Sequence, residues 1–240
     1  MKKLIISAAL VAMTIGAQAQ SLFNNPDNRS RFGVELGLDV QCPSAVKASI
    51  HDIDINYDMF NTACGFNVSA FYQIPLWMNL YAEPGLGIFY HTSKMNRDFL
   101  DNGYEDGEEF TSGSLREWGF NIPLVVGYHF DFTAVDLKVR VFTGPVFSLG
   151  FKGDFHYSTK VGGIKMSGSE GAYEDGSINR GNVAWRFGAG VDYKDRYRFS
   201  VYGDAGMTNA LNNVSYDADG HLGKAKLYRN TVSFSLGYLF

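Results

Sequence analysis

Eight stretches of this chain place an apolar or small residue at every second position over about ten residues, the period of a β-strand with two chemically different faces. They run from Phe32 to Val40, Cys64 to Ile74, Leu80 to Tyr90, Trp118 to Phe130, Leu137 to Phe151, Val183 to Tyr193, Tyr197 to Met207 and Val232 to Phe240. The fourth is the most regular, with Trp118, Phe120, Ile122, Leu124, Val126, Tyr128 and Phe130 in phase. Together the in-phase faces hold 49 positions and no charged residue. A chain that is 19% Asp, Glu, Lys and Arg would put about nine charges there by chance, and each Lys or Arg facing lipid at mid-bilayer costs roughly 2–4 kcal/mol. The blank face therefore predicts an outside that meets hydrocarbon.

The alternate faces are rich in Gly (Gly33, Gly37, Gly85, Gly87, Gly119, Gly188, Gly190, Gly237) and carry charges of both signs. Acids there are Glu35, Asp39, Glu83, Glu117, Asp192 and Asp204; bases are Lys138, Arg140, Arg186, Arg198 and Arg229. Backbone polar groups inside a bilayer must be satisfied within the protein, so strands cross only as a closed barrel. The predicted fold is all-β: a transmembrane antiparallel up-and-down β-barrel of about eight strands. An interior of that size is just filled by side chains, so Gly makes room there while opposite charges pair as a salt-bridged plug. A proton or ion path along the same charges is the functional alternative.

The first residues form an export signal. Lys2 and Lys3 are a basic start, Leu4 to Ile15 an apolar run, and Ala17-Gln18-Ala19 a small-x-small cleavage site. The apolar run falls short of the ~20 residues that span a bilayer as a helix. Residues 1–19 are thus expected to be a cleaved signal peptide, and residues 20–240 a single outer-membrane barrel domain. Without Lys2 and Lys3 the mature chain has 19 basic residues against 25 acidic ones, a formal charge of −6, which argues against nucleic acid as a partner.

Connection lengths set the orientation. Pro75 to Asn79, Asp131 to Asp136 and Lys194 to Arg196 are short, whereas Gln41 to Ala63, His91 to Glu117, Lys152 to Asn182 and Thr208 to Thr231 are long. Barrels of this class keep short turns and both termini on the periplasmic side and long loops outside. Tyr72, Trp77, Tyr128, Phe130, Tyr193, Tyr197, Tyr238 and Phe240 gather at the short-turn end as an interfacial girdle, with Trp118, Phe147, Phe151 and Trp185 at the other.

Three prolines, Pro84, Pro123 and Pro145, fall inside predicted strands, where each removes a ladder hydrogen bond. Bulges are the expected remedy, and a bulge would reverse the in/out phase beyond it. Cys42 and Cys64 end the first two strands at the outer side, and in an oxidising compartment they are candidates for a disulfide. The five His (His51, His91, His129, His156, His221) fall mostly in expected loops and lack metal-ligand spacing. The acidic run Asp101 to Glu109 lacks the ligand order of an EF-hand, so a solvated loop is its reading. No cofactor or metal is expected.

The signal ending Ala17-Gln18-Ala19-Gln20, Pro84-Gly85-Leu86-Gly87, Asn121-Ile122-Pro123-Leu124, Gly188-Ala189-Gly190 and the terminal Ser235-Leu236-Gly237-Tyr238-Leu239-Phe240, in this order, resemble the PorT-like family of small outer-membrane β-barrels of the Bacteroidetes. The resemblance spans nearly all of the mature chain. It implies insertion by the barrel assembly machinery, which recognises a last strand with alternate aromatics ending in Phe, here Phe234, Tyr238 and Phe240. It implies no enzyme activity, and some members of that family serve a protein secretion system.

The favoured function is a non-enzymatic barrel, bathed in outer-membrane lipid, that is structural or whose outer loops or periplasmic turns engage a protein partner or the surface matrix. A lipid-modifying enzyme or hydrolase, and a narrow pore or small-ligand-binding barrel, are the alternatives. An enzyme would need a catalytic constellation at the outer rim, and none is visible in the sequence.

Overall fold

The computed structural model describes residues 30–50, 53–58, 60–96, 108–161, 164–174, 178–211 and 224–240. The export signal, His51, His221 and most of the acidic run lie outside the described residues. Twelve strands are present among those described: β1 (Arg31–Pro43), β2 (Val46–Ile50), β3 (Ile53–Tyr57), β4 (Ala63–Pro75), β5 (Leu80–Lys94), β6 (Glu108–Phe132), β7 (Leu137–Val161), β8 (Ile164–Gly171), β9 (Gly181–Tyr193), β10 (Tyr197–Gly206), β11 (Lys224–Lys226) and β12 (Arg229–Leu239).

Eight of these close a ring in the order β1, β4, β5, β6, β7, β9, β10, β12, with β12 returning antiparallel to β1. They are the eight segments expected from the alternation. The remaining strands belong to the long connections: β8 pairs with the far end of β7, and β2, β3 and β11 form a separate three-stranded sheet. All the outward apolar rows are exposed, among them Leu36, Leu38, Leu86, Ile122, Val126, Phe187 and Leu236. No water-soluble barrel would present so continuous an apolar exterior.

The prolines act differently from expectation. Opposite Pro84 the β4–β5 ladder skips two pairs and resumes in the same register, between Phe71↔Gly85 and Ile74↔Ala82. The β5–β6 ladder does the same beside Pro123, between Pro84↔Leu124 and Gly87↔Asn121, and β6–β7 beside Pro145, between Pro123↔Val146 and Val126↔Thr143. Each proline simply leaves a gap toward the preceding strand, so the phase never reverses there. The register shifts that do reverse phase lie further out on the β6–β7 seam, one between Phe110 and Ser112 and the other where Trp118 faces Lys152 but Gly119 faces Gly150. Phe151 and Lys152 consequently both point outward.

Strands β5, β6 and β7 also run further than the alternation indicated. Residues 91–94, 108–117 and 152–161, expected in loops, continue the wall beyond the apolar band. At the opposite end the turns are tight and hold left-handed residues, Met78 and Asn79 in one and Lys194 and Asp195 in another.

Inside the barrel, aromatic rings lie across glycines of the neighbouring strand. Phe71 faces Gly33, Phe89 faces Gly119, Tyr81 faces Gly127, and Phe142 and Tyr202 both face Gly188. A Cβ built on Gly33 would sit 2.3 Å from the Phe71 ring, and one on Gly188 2.3 Å from that of Phe142. These glycines are therefore the sockets into which the interior rings fit.

Candidate functional site: a plugged lumen under an apolar cap

The inward charges are arranged in tiers along the barrel axis. At the short-turn mouth, Arg31 and Lys138 each approach Asp195 Oδ1 at 2.8 Å. The hydrogen bond from Arg31, reinforced by Lys138, holds the Asp195 carboxyl down at about 2.

The next tier is the most buried. Arg198 binds Asp192 through Nε at 2.9 Å and Nη2 at 3.1 Å, and Glu83 Oε2 through Nη1 at 2.7 Å. Arg140 adds longer ion-pair contacts, 3.3 Å to Asp192 and 3.9 Å to Glu83, and donates to Ser200. Arg140 and Arg198 are the largest side chains buried almost completely. Such burial is tolerated only because each guanidinium finds carboxylates. Tyr81, Val125, Phe142 and Tyr202 form an apolar cluster beside them, with the Arg140 guanidinium 4.8 Å over the Phe142 ring.

Further out, Arg186 makes a two-pronged bond to Asp204 at 2.7 and 2.8 Å and lies 3.8 Å over the Tyr202 ring. Ser235 donates to Glu35. Asp39 then gathers three donors: Asn67 and Ser233 at 2.6 Å, and His91 Nε2 at 3.0 Å from its other oxygen. His91, expected in a loop, is instead a buried lumen residue on β5, and His129 lies on the inward face of β6. Last, Arg229 Nη2 and the Tyr173 hydroxyl both donate to Glu117 Oε1 at 2.9 Å. Burial and the Glu117 charge push the Tyr173 phenol above its ordinary value, so it stays a protonated donor.

Tyr173 also belongs to a cluster that sequence reasoning missed. Val46, Phe60, Leu115, Ala172, Tyr173, Ile178, Ala210, Leu211 and Leu227 form a buried apolar core, with Met95 and Phe155 packed against it. These residues come from all four long connections and from the outer ends of β6 and β7. Polar clamps hold them: Asn209 Oδ1 accepts from the Leu227 and Leu211 amides at 2.8 and 3.2 Å, and the Ser44 amide donates to Tyr228 O at 2.9 Å. The signal available in sequence was the apolar residues scattered through nominally polar loops, but without a period they name no partner.

The cap and tiers leave little space. Cavities in the lumen measure about 40, 30 and 20 Å³, room for a few waters each at most. Among the described residues no cluster of His, Cys, Asp and Glu has the arrangement of a metal site. Cys42 and Cys64 are free and exposed thiols on the outer face. With Val40 opposite Cys64, they occupy diagonal positions on adjacent strands. On the last strand, Phe234 and Phe240 are exposed, and Phe240 stacks on Phe32 at 5.9 Å and meets Tyr238 at 5.1 Å.

Residues 17–216 match a family described as outer membrane protein beta-barrel domain. A comparison with curated proteins finds no match. Similar solved structures include the outer membrane protein OprG from Pseudomonas aeruginosa (10% identity, 88% of this chain and 95% of that one, TM-score 0.48). Ail, the attachment invasion locus protein of Yersinia pestis, is similar at 10% identity, 89% and 100% coverage and TM-score 0.36. Neisserial surface protein A is similar at 14% identity, 88% and 98% coverage and TM-score 0.37.

Proposed function

Starting from a chain that belongs to the outer membrane protein beta-barrel domain family and resides in the bacterial outer membrane, we propose that it is a non-enzymatic, non-conducting barrel whose capped outer end is a fixed platform for a protein partner. One observation carries the reading: four long connections converge on a shared apolar core above a lumen closed by ion pairs. Loops that only linked strands would have no need of a common core, whereas a recognition surface gains from being preorganised. The narrower likeness to PorT-like barrels agrees with a partner in secretion or surface assembly.

Photo-cross-linking in intact cells tests the platform. Probes at exposed cap positions such as Lys226 and Arg180 should trap a defined protein, while probes at Ala134 in a short turn should not. Cross-links confined to the short turns would place the partner on the periplasmic side and overturn the reading. In planar bilayers the purified protein should show no conductance steps; regular steps would remove the closed lumen.

Three further features belong to the same proposal. Export with removal of residues 1–19 predicts a mature protein beginning at Gln20, which N-terminal sequencing reads directly. Recognition of Phe234, Tyr238 and Phe240 by the assembly machinery predicts that Phe240→Ser lowers the folded, heat-modifiable fraction in the outer membrane. A Cys42–Cys64 bridge requires the two diagonal positions, about 7–8 Å apart in a regular ladder, to draw into the 4.4–6.8 Å range that a bridge needs. Alkylation under non-reducing conditions decides it, since a bridged pair takes up no label.

A further inference from the structure

The outer rim of the barrel is chemically lopsided. On β1, β4, β9, β10 and β12 the outward residues that approach or enter the long connections are Cys42, Cys64, Val183, Met207 and Asn230, all uncharged. On β5, β6 and β7 the equivalent stretch presents Lys94, Arg116 and Lys152, all exposed. Arg116 pairs across the ladder with Thr92 and Asp154, Lys94 with Ser114 and Lys152 with Trp118. Lys94, Arg116 and Lys152 thus form a diagonal row over three strands, close enough for their side chains to converge.

Lys152 is in that row because of the register shift beside it. Inward positions on β7 run Phe142, Gly144, Val146, Ser148 and Gly150, so an uninterrupted strand would turn Lys152 into the lumen. The extra residue at Phe151 re-aims it outward beside Trp118, the use to which bulges are often put. The acid facing these cations is Asp154, 3.2 Å from Lys152 Nζ. Arg116 and Lys94 have no ion-pair partner among the described residues.

The height of the row identifies what it meets. Immediately on its membrane side sits a nest of aromatics, Trp118 with its ring 4.7 Å from Tyr90 and 5.9 Å from Phe66, and Phe120 4.9 Å from Phe151. On β6, Tyr128 and Trp118 bracket the apolar stretch. At ~3.3 Å per residue and a tilt of ~40°, they stand about 25 Å apart along the membrane normal, the height of a hydrocarbon band. Arg116, one outward position beyond Trp118, then lies about 5 Å further, in the headgroup layer.

We propose that Lys94, Arg116 and Lys152 form a binding site for the phosphate groups of an anionic lipid headgroup in the outer leaflet. A guanidinium offers a phosphate two parallel N–H donors, and flanking ammonium groups add unspecific attraction. The aromatic nest beneath would hold the acyl chains of the same lipid against the wall.

The test is native mass spectrometry of full-length protein released from bilayers that contain equal phosphatidylcholine and phosphatidic acid, the latter carrying the phosphomonoester. Folding is checked by heat-modifiable mobility. The protein should retain phosphatidic acid in preference, and Arg116→Ser with Lys152→Ser should cut that preference roughly thirtyfold, as loss of two interfacial cations implies. Asp154→Asn should strengthen it, and Asn230→Ala at the uncharged rim should leave it unchanged. No preference in the unaltered protein, or an equal one in the double variant, overturns the site. Displacement of the lipid by excess inorganic phosphate would also overturn it, as it would make the ligand a free anion rather than a headgroup.

Discussion

The wall formed by β9, β10, β12 and β1 and the wall formed by β5, β6 and β7 are made of the same strand type and differ in almost every detail. In the first, each ladder runs without a break, from Gly33↔Leu239 to Pro43↔Arg229 on one seam and from Tyr197↔Tyr193 to Gly206↔Ala184 on another. In the second, three successive seams are each interrupted beside a proline and one carries two phase-reversing register shifts. Yet the deepest ion pairs tie the two walls together, since Arg198 on β10 reaches Glu83 on β5 across the lumen. The regular wall is held by its own backbone; the irregular one leans on the plug.

That contrast can be broken most directly at Arg198. Arg198→Ala leaves Glu83 and Asp192 buried without their main cation, and about 3–5 kcal/mol should be lost. Denaturant unfolding in detergent measures it, and hydrogen exchange should show β5 loosening before β12. Uniform loosening would mean that the walls do not differ in their reliance on the plug. Next in size, Gly188→Ala drives a methyl into the Phe142 ring and against the Tyr202 Cβ and should cost about 1–3 kcal/mol of overpacking. Its effect should centre on the regular wall.

Pro123→Ala should act in the opposite sense. Restoring an N–H toward β5 closes a gap, so stability should rise by about 1 kcal/mol, with slower amide exchange across the Gly85–Leu86 seam. No gain would show that the gap is satisfied in another way. The smallest effect belongs to the short-turn mouth. The Asp195 carboxyl lies below its ordinary value of 3.8, so its bonds to Arg31 and Lys138 contribute fully above about pH 4. That contribution is lost as pH falls toward 2. Asp195→Asn should remove this pH dependence and shift stability by under about 1 kcal/mol, as expected of a half-exposed pair. An unchanged acid profile would assign it to other carboxylates.

The barrel was legible in sequence because lipid on one side and a packed interior on the other impose a different chemistry on every second residue. Leu36 and Leu38, or Ile122 and Leu124, had no choice of neighbour. The same rule explains what was missed. Beyond the membrane the outward face of β6 meets water and headgroups, so Arg116 and Ser114 are as acceptable as Trp118, and a strand that continues to Glu108 reads as a loop. The cap was invisible for a related reason. Phe60, Tyr173, Ile178 and Leu227 are apolar because of contacts between distant connections, which leave no period in any one of them. A phase reversal is expected at the prolines, where a missing donor is obvious, and occurs instead at Phe151 and between Phe110 and Ser112, where no residue type announces it.

The pairing of β1 with β12 joins the first strand among the described residues to the last. Translation and export deliver these two strands at opposite ends of a time interval during which the sheet has two open edges. Everything made earlier must wait unsealed for Leu239 to reach Gly33. Losing a few C-terminal residues would therefore act less like trimming an end than like withholding the final stitch, and a shortened chain should fall to periplasmic proteolysis in proportion to the rungs of that seam it lacks.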